Sequence, residues 1–579
     1  MKEDPDSANN LEFEKESKLR AYLQSEAASR TGQLVIGAVA IGIVFWWLQF
    51  STQSICCGDF DGYYHIKWSR LLWEGIRNRH FPPAFTWLPL TSLNAKSYVD
   101  HHLLFHLLQM PFTWFGDLRL GAKIAATIFA SLAVFSCYWL IVRYRISYAL
   151  VWLVALLACS APFLYRLNMA KAPPFAIIYL VLGIYLLFEE KYRLLVPLAF
   201  VFALTYDLFV LLGLAVVIWV AIIGWTERRF EWRPLLWVVV GSLAGLIINP
   251  YFPHNLYLLY EHFIIKVTAA EFSTKVGQEW YPYDTKEFLL LCFVAFVAML
   301  AGYIAFDGSD RKRSARPLFF LIFSTALMIM TMRWKRFAEY WPPFAVLFAA
   351  FSLQSVFLGV RSAIGRLPSD VLNELEPFLD RQEPTKVAAE TERKELIQTI
   401  KAGAVAIALG VVLFFNLAVT AKDIGQSARR DYYQAGMAWV RANVPPGEMV
   451  FNTDWDDFPR LFYYDPTHVY VTGLDPTYLL DKSPELSRLY ERITLGKEKD
   501  PGPLIRDRFK ARYVFSDNTN DHDEFYTNAM DSGWFDRVYE DDDCTVLHIR
   551  DQKGEPPPDT QTDEPDTGPD NQNDEDNSP

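Results

Sequence analysis

Apolar runs of membrane length recur along most of this chain and then give way to short alternating segments. The runs fall at about 34–50, 120–142, 146–165, 173–188, 194–206, 208–225, 235–249, 287–306, 317–332, 338–359 and 401–420. Several reach the ~20 residues that cross a bilayer as a helix; the pair flanking Tyr206-Asp207 is short or shares a break. After residue 426 the pattern changes. Met449-Val450-Phe451, Val469-Tyr470-Val471 and Tyr513-Val514-Phe515 read as strands, and Tyr432 to Asn443 and Pro484 to Leu495 as helices. The expected fold is therefore a multi-pass α-helical membrane protein of about 11 transmembrane helices with a small C-terminal α/β domain.

Charge sorts the connections between runs. Arg143 with Arg145, Lys191 with Arg193, Arg228-Arg229 with Arg233, and Arg311-Lys312-Arg313 with Arg316 share one side, as do the N-terminus and Arg361 to Lys401. Positive charge marks the cytoplasmic side, so the N-terminus is expected inside and the C-terminal domain outside. The predicted organisation is a cytoplasmic segment 1–30, a transmembrane domain 31–425, an extracytoplasmic domain 426–550 and a disordered acidic tail 551–579. Within the transmembrane domain, 51–118 and 250–286 are external loops and 360–400 is a cytoplasmic helical segment. The polar, mixed-charge start makes the first run an uncleaved anchor; the expected location, for a bacterial or archaeal source, is the plasma membrane.

Composition agrees: 579 residues, 51% hydrophobic and 16% aromatic. The net charge of −12 comes largely from the acidic end, and no basic domain suggests nucleic acid. Of six cysteines, Cys137, Cys159 and Cys292 lie in apolar runs, while Cys56 or Cys57 is a candidate to pair with Cys544.

The polar groups that topology cannot explain collect on the external side. Gly58-Asp59-Phe60-Asp61-Gly62-Tyr63-Tyr64-His65 follows the first anchor, where carboxylates are costly to desolvate unless they act. Asp59 and Asp61 suit a general base or ligands of a divalent cation (Mg2+ or Mn2+); helix capping is the plainer alternative. Arg333-Trp334-Lys335-Arg336 puts three cations where the charge rule disfavours them, which calls for an anionic partner such as a lipid phosphate. Arg166 and Lys171, in a second external segment without carboxylates, suit the same phosphate. Asp100-His101-His102 with His106 is a weaker metal candidate.

Asp61-Gly62-Tyr63-Tyr64-His65-Ile66-Lys67 after an N-terminal anchor resembles the first external loop of C-type (GT-C) membrane glycosyltransferases. Within that class it is similar to the catalytic subunit of oligosaccharyltransferase, where an acidic residue precedes an aromatic pair and a basic residue. The resemblance implies that Asp61 is the catalytic carboxylate with Asp59 its neighbour, and Tyr64 and His65 beside the acceptor. It implies Glu279 as the acidic residue of a lid loop and third metal ligand. Asp454-Trp455-Asp456-Asp457 is similar to the acceptor-reading signature of that class, with its first Trp absent, and gives Trp455 and Asp456 as acceptor contacts; filling the domain core and capping a helix explain them equally well. The activity implied is transfer of a sugar or glycan from a polyprenyl-phosphate or polyprenyl-diphosphate donor to a glycan, lipid or protein acceptor at the outer face. The missing second-loop carboxylate departs from the oligosaccharyltransferase pattern and is similar to class members that work without metal. The alternative is a non-catalytic transporter or scaffold for lipid-linked sugars in envelope assembly; against a transporter, no internal repeat is visible.

Overall fold

The computed structural model describes residues 26–57, 60–265, 277–364 and 383–555. Residues 1–25, Asp59 with the residue before it, 266–276, part of the predicted cytoplasmic segment (365–382) and the tail from 556 lie outside the described residues.

The helices in order are α1 (Glu26–Gln49), α2 (Asp61–Arg77), α3 (Leu103–Gln109), α4 (Leu118–Arg143), α5 (Ala149–Ala158), α6 (Ala161–Asn168), α7 (Pro173–Phe188), α8 (Leu195–Thr205), α9 (Val210–Glu227) and α10 (Arg233–Ile247). After a short helix at His254–Tyr260 come α11 (Thr285–Leu291), α12 (Phe293–Ala305), α13 (Arg311–Arg333), α14 (Trp341–Ile364) and α15 (Glu383–Gly425). Among the described residues five helical stretches are long and apolar enough to cross a membrane, and counting each of two bent pairs, α5–α6 at 77° and α11–α12 at 75°, as one span raises this to seven. The expected eleven exceeds that count because four further apolar helices, Pro173–Phe188, Tyr192–Thr205, Arg233–Ile247 and Trp341–Val356, have only 10–17 residues.

Local chemistry explains the breaks. Ser160 ends α5 and caps α6, its hydroxyl accepting from the Phe163 amide at 3.3 Å, with Pro162 in the first turn. The expected break at Tyr206-Asp207 is present: Tyr206 is extended, and a single 3-10 turn leads into α9. In α10, Gly241 and Gly245 sit four apart against α8. A Cβ on either would lie 2.3 Å from the Val196 carbonyl or 2.8 Å from that of Phe200, so only glycine permits this approach.

The C-terminal domain carries a five-stranded sheet, β1 (Met449–Asn452), β2 (Val469–Tyr470), β3 (Ala511–Asp517), β4 (Phe535–Glu540) and β5 (Cys544–Ile549), in the order β2-β1-β3-β5-β4. The first three strands are parallel and were readable in the sequence; β5 runs antiparallel to both β3 and β4. The hairpin from β4 to β5 turns on the acidic run at 540–543. The predicted Cys544 bridge is absent: Cys56 is joined to Cys57, and Cys544 is a free, buried thiol under Gly436.

The first loop and the C-terminal domain share one core. Trp68, Phe85 and Leu88 pack with Phe458, Phe462 and Tyr470. Trp87 donates its indole N–H to the Pro466 carbonyl and accepts, at its own carbonyl, from the Tyr470 amide, both at 2.8 Å. Arg460 is almost fully buried between the rings of Phe60, Tyr63 and Tyr432, and donates to the Ser54 hydroxyl at 2.9 Å.

Candidate active site

Amphipathic α2 buries Tyr63, Tyr64, Ile66, Trp68 and Leu72 and so fixes where its first turn points. Asp61 begins this helix, where an anion suits the dipole, and its carboxylate pairs with Lys171 Nζ at 2.8 Å. Lys171 lies in the connector before the Pro173-Pro174 start of α7. Arg166, at the end of α6, donates through Nε to Glu339 at 2.7 Å and through Nη2 to Glu279 at 2.7 Å.

Glu279 and Trp280 stand on a strap tied down by a hydrogen bond from the Lys335 amide to the Tyr281 carbonyl at 3.1 Å. Arg336 sits across from Arg166. It donates to the Tyr206 hydroxyl at 2.9 Å, stacks on Trp280 at 4.5 Å and approaches Glu279 at 3.7 Å. Burial alone would raise the Glu279 carboxyl, but Arg336, then Arg166 and Lys171, outweigh it and hold the group well below the usual carboxylate range.

These side chains line two adjoining cavities of about 270 Å³ and about 650 Å³. Asp61, Arg166, Lys171, Glu279 and Trp280 border both. The smaller one adds Tyr64, His65, His101, His102 and Arg336; the larger one adds Lys335, Trp455, Asp456 and Asp423. Trp455 is half-buried and lines this hollow rather than filling the domain core, while neighbouring Asp457 is the buried one, accepting from the Tyr433 hydroxyl at 2.8 Å. Residues far apart in sequence thus meet in one place.

Arg333 does not join them: it is exposed at the end of α13 over the Trp334 ring, outside both cavities, because the break after it turns Lys335 and Arg336 inward. Residues the sequence reading underweighted include Glu339, Tyr206 and Trp280, together with His262, which bridges Asp207 at 2.8 Å and the Tyr478 hydroxyl at 3.0 Å. Glu339 had a signal: it lies three residues beyond Arg336, beside the unexplained cations. His262 had none, being a lone histidine in a loop.

Among the described residues no group of three His, Cys, Asp or Glu is arranged to hold a metal ion. Asp61 is matched by Lys171, and Glu279 by Arg166 and Arg336, so a divalent ion bound to these two would have to displace three cations. The two described carboxylates do not fit a metal, and Asp59, the third expected ligand, lies outside the described residues.

The arrangement of helices and C-terminal domain matches known structures. The archaeal oligosaccharyltransferase AglB from Archaeoglobus fulgidus, in complex with an inhibitory peptide and a dolichol-phosphate, superposes with a TM-score of 0.57 at 13% identity, covering 87% of this chain and 72% of that one. The chain has the GT-C fold. A second structure of the A. fulgidus oligosaccharyltransferase, tethered to an acceptor peptide containing the NVT sequon, gives 0.53 at 13% identity over 86% and 70%. ArnT from Cupriavidus metallidurans bound to undecaprenyl phosphate gives 0.52 at 12% identity, over 89% of this chain and 98% of that one. No family model and no curated protein sequence matches the chain.

Proposed function

We propose that this protein is a membrane glycosyltransferase that moves a sugar from a polyprenyl-phosphate donor to an acceptor at the extracytoplasmic face. The observation that carries this reading is the shared wall of the two cavities, where Asp61 and Lys171 stand beside Arg166, Glu279 and Arg336. The AglB and ArnT structures that share its fold hold dolichol-phosphate and undecaprenyl phosphate, which supports the donor class. The clustering of Lys and Arg in the opposite connections supports the orientation.

In this reading the donor phosphate takes the place of Glu279 between Arg166 and Arg336, exchanging one anion for another on the same cations. Lys171 and Lys335 complete the positive rim. Asp61 accepts a hydrogen bond from the attacking hydroxyl and orients it at the anomeric carbon, and the guanidinium groups stabilise charge on the departing lipid phosphate. Trp455 and Asp456 face the acceptor from the larger hollow. The reaction is read as metal-independent, since the carboxylates are already neutralised by side-chain cations.

The test is incubation of purified full-length protein with radiolabelled polyprenyl-phosphate sugars and a hydroxyl acceptor, with and without chelator. Label leaves the lipid in both arms, and Asp61→Asn lowers the rate by roughly 100-fold or more while the protein still folds. Loss of transfer on chelation would overturn the metal-independent step; full activity of the variant would remove Asp61 from the chemistry.

A further inference from the structure

Behind the smaller cavity runs a row of three nearly dry side chains. Asp100 is 1% exposed, His106 1% and His65 3%. The Asp100 carboxylate lies 2.8 and 2.9 Å from His106 Nδ1, and His106 Nε2 lies 2.8 Å from His65 Nδ1. Asp100 also accepts from the Trp68 indole N–H at 2.9 Å and from the His102 amide at 3.0 Å. Burial would raise its carboxyl, but His106 and Trp68 outweigh that and hold it below its ordinary value, so it stays an anion that only accepts.

With both rings neutral, that places every proton in the row. His106 Nδ1 must carry the hydrogen that Asp100 receives, which leaves Nε2 of the neutral ring as an acceptor. His65 Nδ1 must therefore donate to it, and the lone pair of His65 falls on Nε2. This nitrogen makes no hydrogen bond among the described residues, and His65 lines the cavity. The Tyr64 hydroxyl does not compete, being bonded to Tyr98 at 2.8 Å. Asp61 lies one helical turn before His65 on the same face of α2, and such neighbours stand roughly 6 Å apart at Cβ, room for one hydroxyl between them.

We infer that His65, His106 and Asp100 form a proton relay for the transfer reaction, His65 being the catalytic residue that touches the acceptor and the other two positioning residues. The inference rests on the transferase reading and specifies where its proton goes. As the acceptor oxygen bonds to the anomeric carbon, the bond from that carbon to the phosphate oxygen breaks and its electron pair leaves with the lipid phosphate. The acceptor O–H proton passes to His65 Nε2, and the proton on His65 Nδ1 passes to His106 Nε2. The positive charge comes to rest on His106 against the Asp100 anion, and the relay resets by returning the proton to the departing phosphate or to water. The groups facing His65 are Lys171 from the α6–α7 connector, His101 and His102 before α3, His106 within it, and Asp61 and Tyr64 on its own helix. Burial first, then His106 and Lys171, depress its proton affinity and keep it neutral at rest.

The experiment is a kcat and KM profile against pH for wild-type, His65→Gln, His106→Gln and Asp100→Asn full-length protein, each checked for unchanged elution and thermal midpoint. The two histidine variants lose about 100-fold in kcat with donor KM within twofold. Asp100→Asn lowers kcat and changes the acid limb of the profile, because the carboxylate that faces the relayed charge is gone. A row that only packs α2 against α3 would change the midpoint and leave that limb in place. If His106→Gln does not fold, Asp100→Asn carries the test alone. Wild-type transfer with unchanged profiles in the variants overturns the relay and spares the transferase reading; absence of transfer from every polyprenyl-phosphate sugar in wild type overturns both.

Discussion

At the scale of single residues, the site is a chain of shared charges that runs from Glu339 through Arg166 and Glu279 to Arg336. Arg166 is divided between Glu339 and Glu279, and Glu279 between Arg166 and Arg336. Buried charges in such a network are costly to leave unmatched, so an incoming phosphate that replaces Glu279 keeps the account neutral. Arg336 offers a planar fork and is stacked on Trp280, which lysine cannot reproduce. Arg336→Lys should lower kcat for donor turnover by roughly 100-fold, as removal of one stabilising donor does elsewhere. Steady-state kinetics check it, and an unchanged kcat would assign the departing phosphate to other cations. Much of this site was legible residue by residue: Asp61, Arg166, Lys171, Glu279 and Arg336 each stood out as a charge with no reason to be where it was. What could not be read was pairing. Nothing in the spacing says that Lys171 turns to Asp61, or that Arg333 faces away while its neighbour two residues on faces in.

Among the elements, close backbone contact rather than side-chain volume sets the position of α10 on α8. Gly241→Val places new atoms against the Val196 carbonyl, which belongs to backbone and cannot swing aside. The substitution should cost about 1–3 kcal/mol and lower the thermal midpoint of the protein in detergent. Gly213→Ala in α9, where a Cβ meets nothing within 4 Å, should leave the midpoint where it is. Equal midpoints for both would show that α10 is not held by this contact. Helix existence was readable from hydropathy at every one of these elements. Membrane crossing was less so, because α7, α8, α10 and the apolar part of α14 are short and two crossings are bent pairs. Strands β4 and β5 escaped notice because neither has a two-residue alternation to read: Phe535-Asp536-Arg537-Val538 sets two polar residues together, and Cys544 to Leu547 is buried on both faces.

For the whole molecule, the first loop and the C-terminal domain act as one body, so the domain's stability sets the geometry of α2 and of the cavity wall. His522 in that domain is 8% exposed and lies 3.6 Å from Asp517 and 3.9 Å from Asp454. Burial lowers its proton affinity, but the nearby Asp454 and Asp517 carboxylates and the Thr494 carbonyl outweigh it and push the group up to about 9. The folded state thus holds this proton more tightly than the unfolded one. Its contribution is complete below about pH 6.5 and is lost as pH rises toward about 9, by no more than about 3 kcal/mol. The thermal midpoint of full-length protein should fall over that window, and His522→Gln should flatten the fall. A midpoint rising with pH would contradict the assignment. The shared core itself had no sequence signature, since its halves, around Trp68 and Phe462, are almost four hundred residues apart.

The claim on which the rest depends is that a polyprenyl phosphate binds with its headgroup between Arg166 and Arg336. The direct measurement is photocrosslinking of full-length protein with a polyprenyl phosphate bearing a diazirine beside the phosphate, mapped by mass spectrometry. The account predicts labels on Trp280, on Lys171 and on the segment around Arg336, reduced by unlabelled lipid. Labels confined to the lipid-facing surfaces of α1 and α15, with none in the cavity wall, would contradict it.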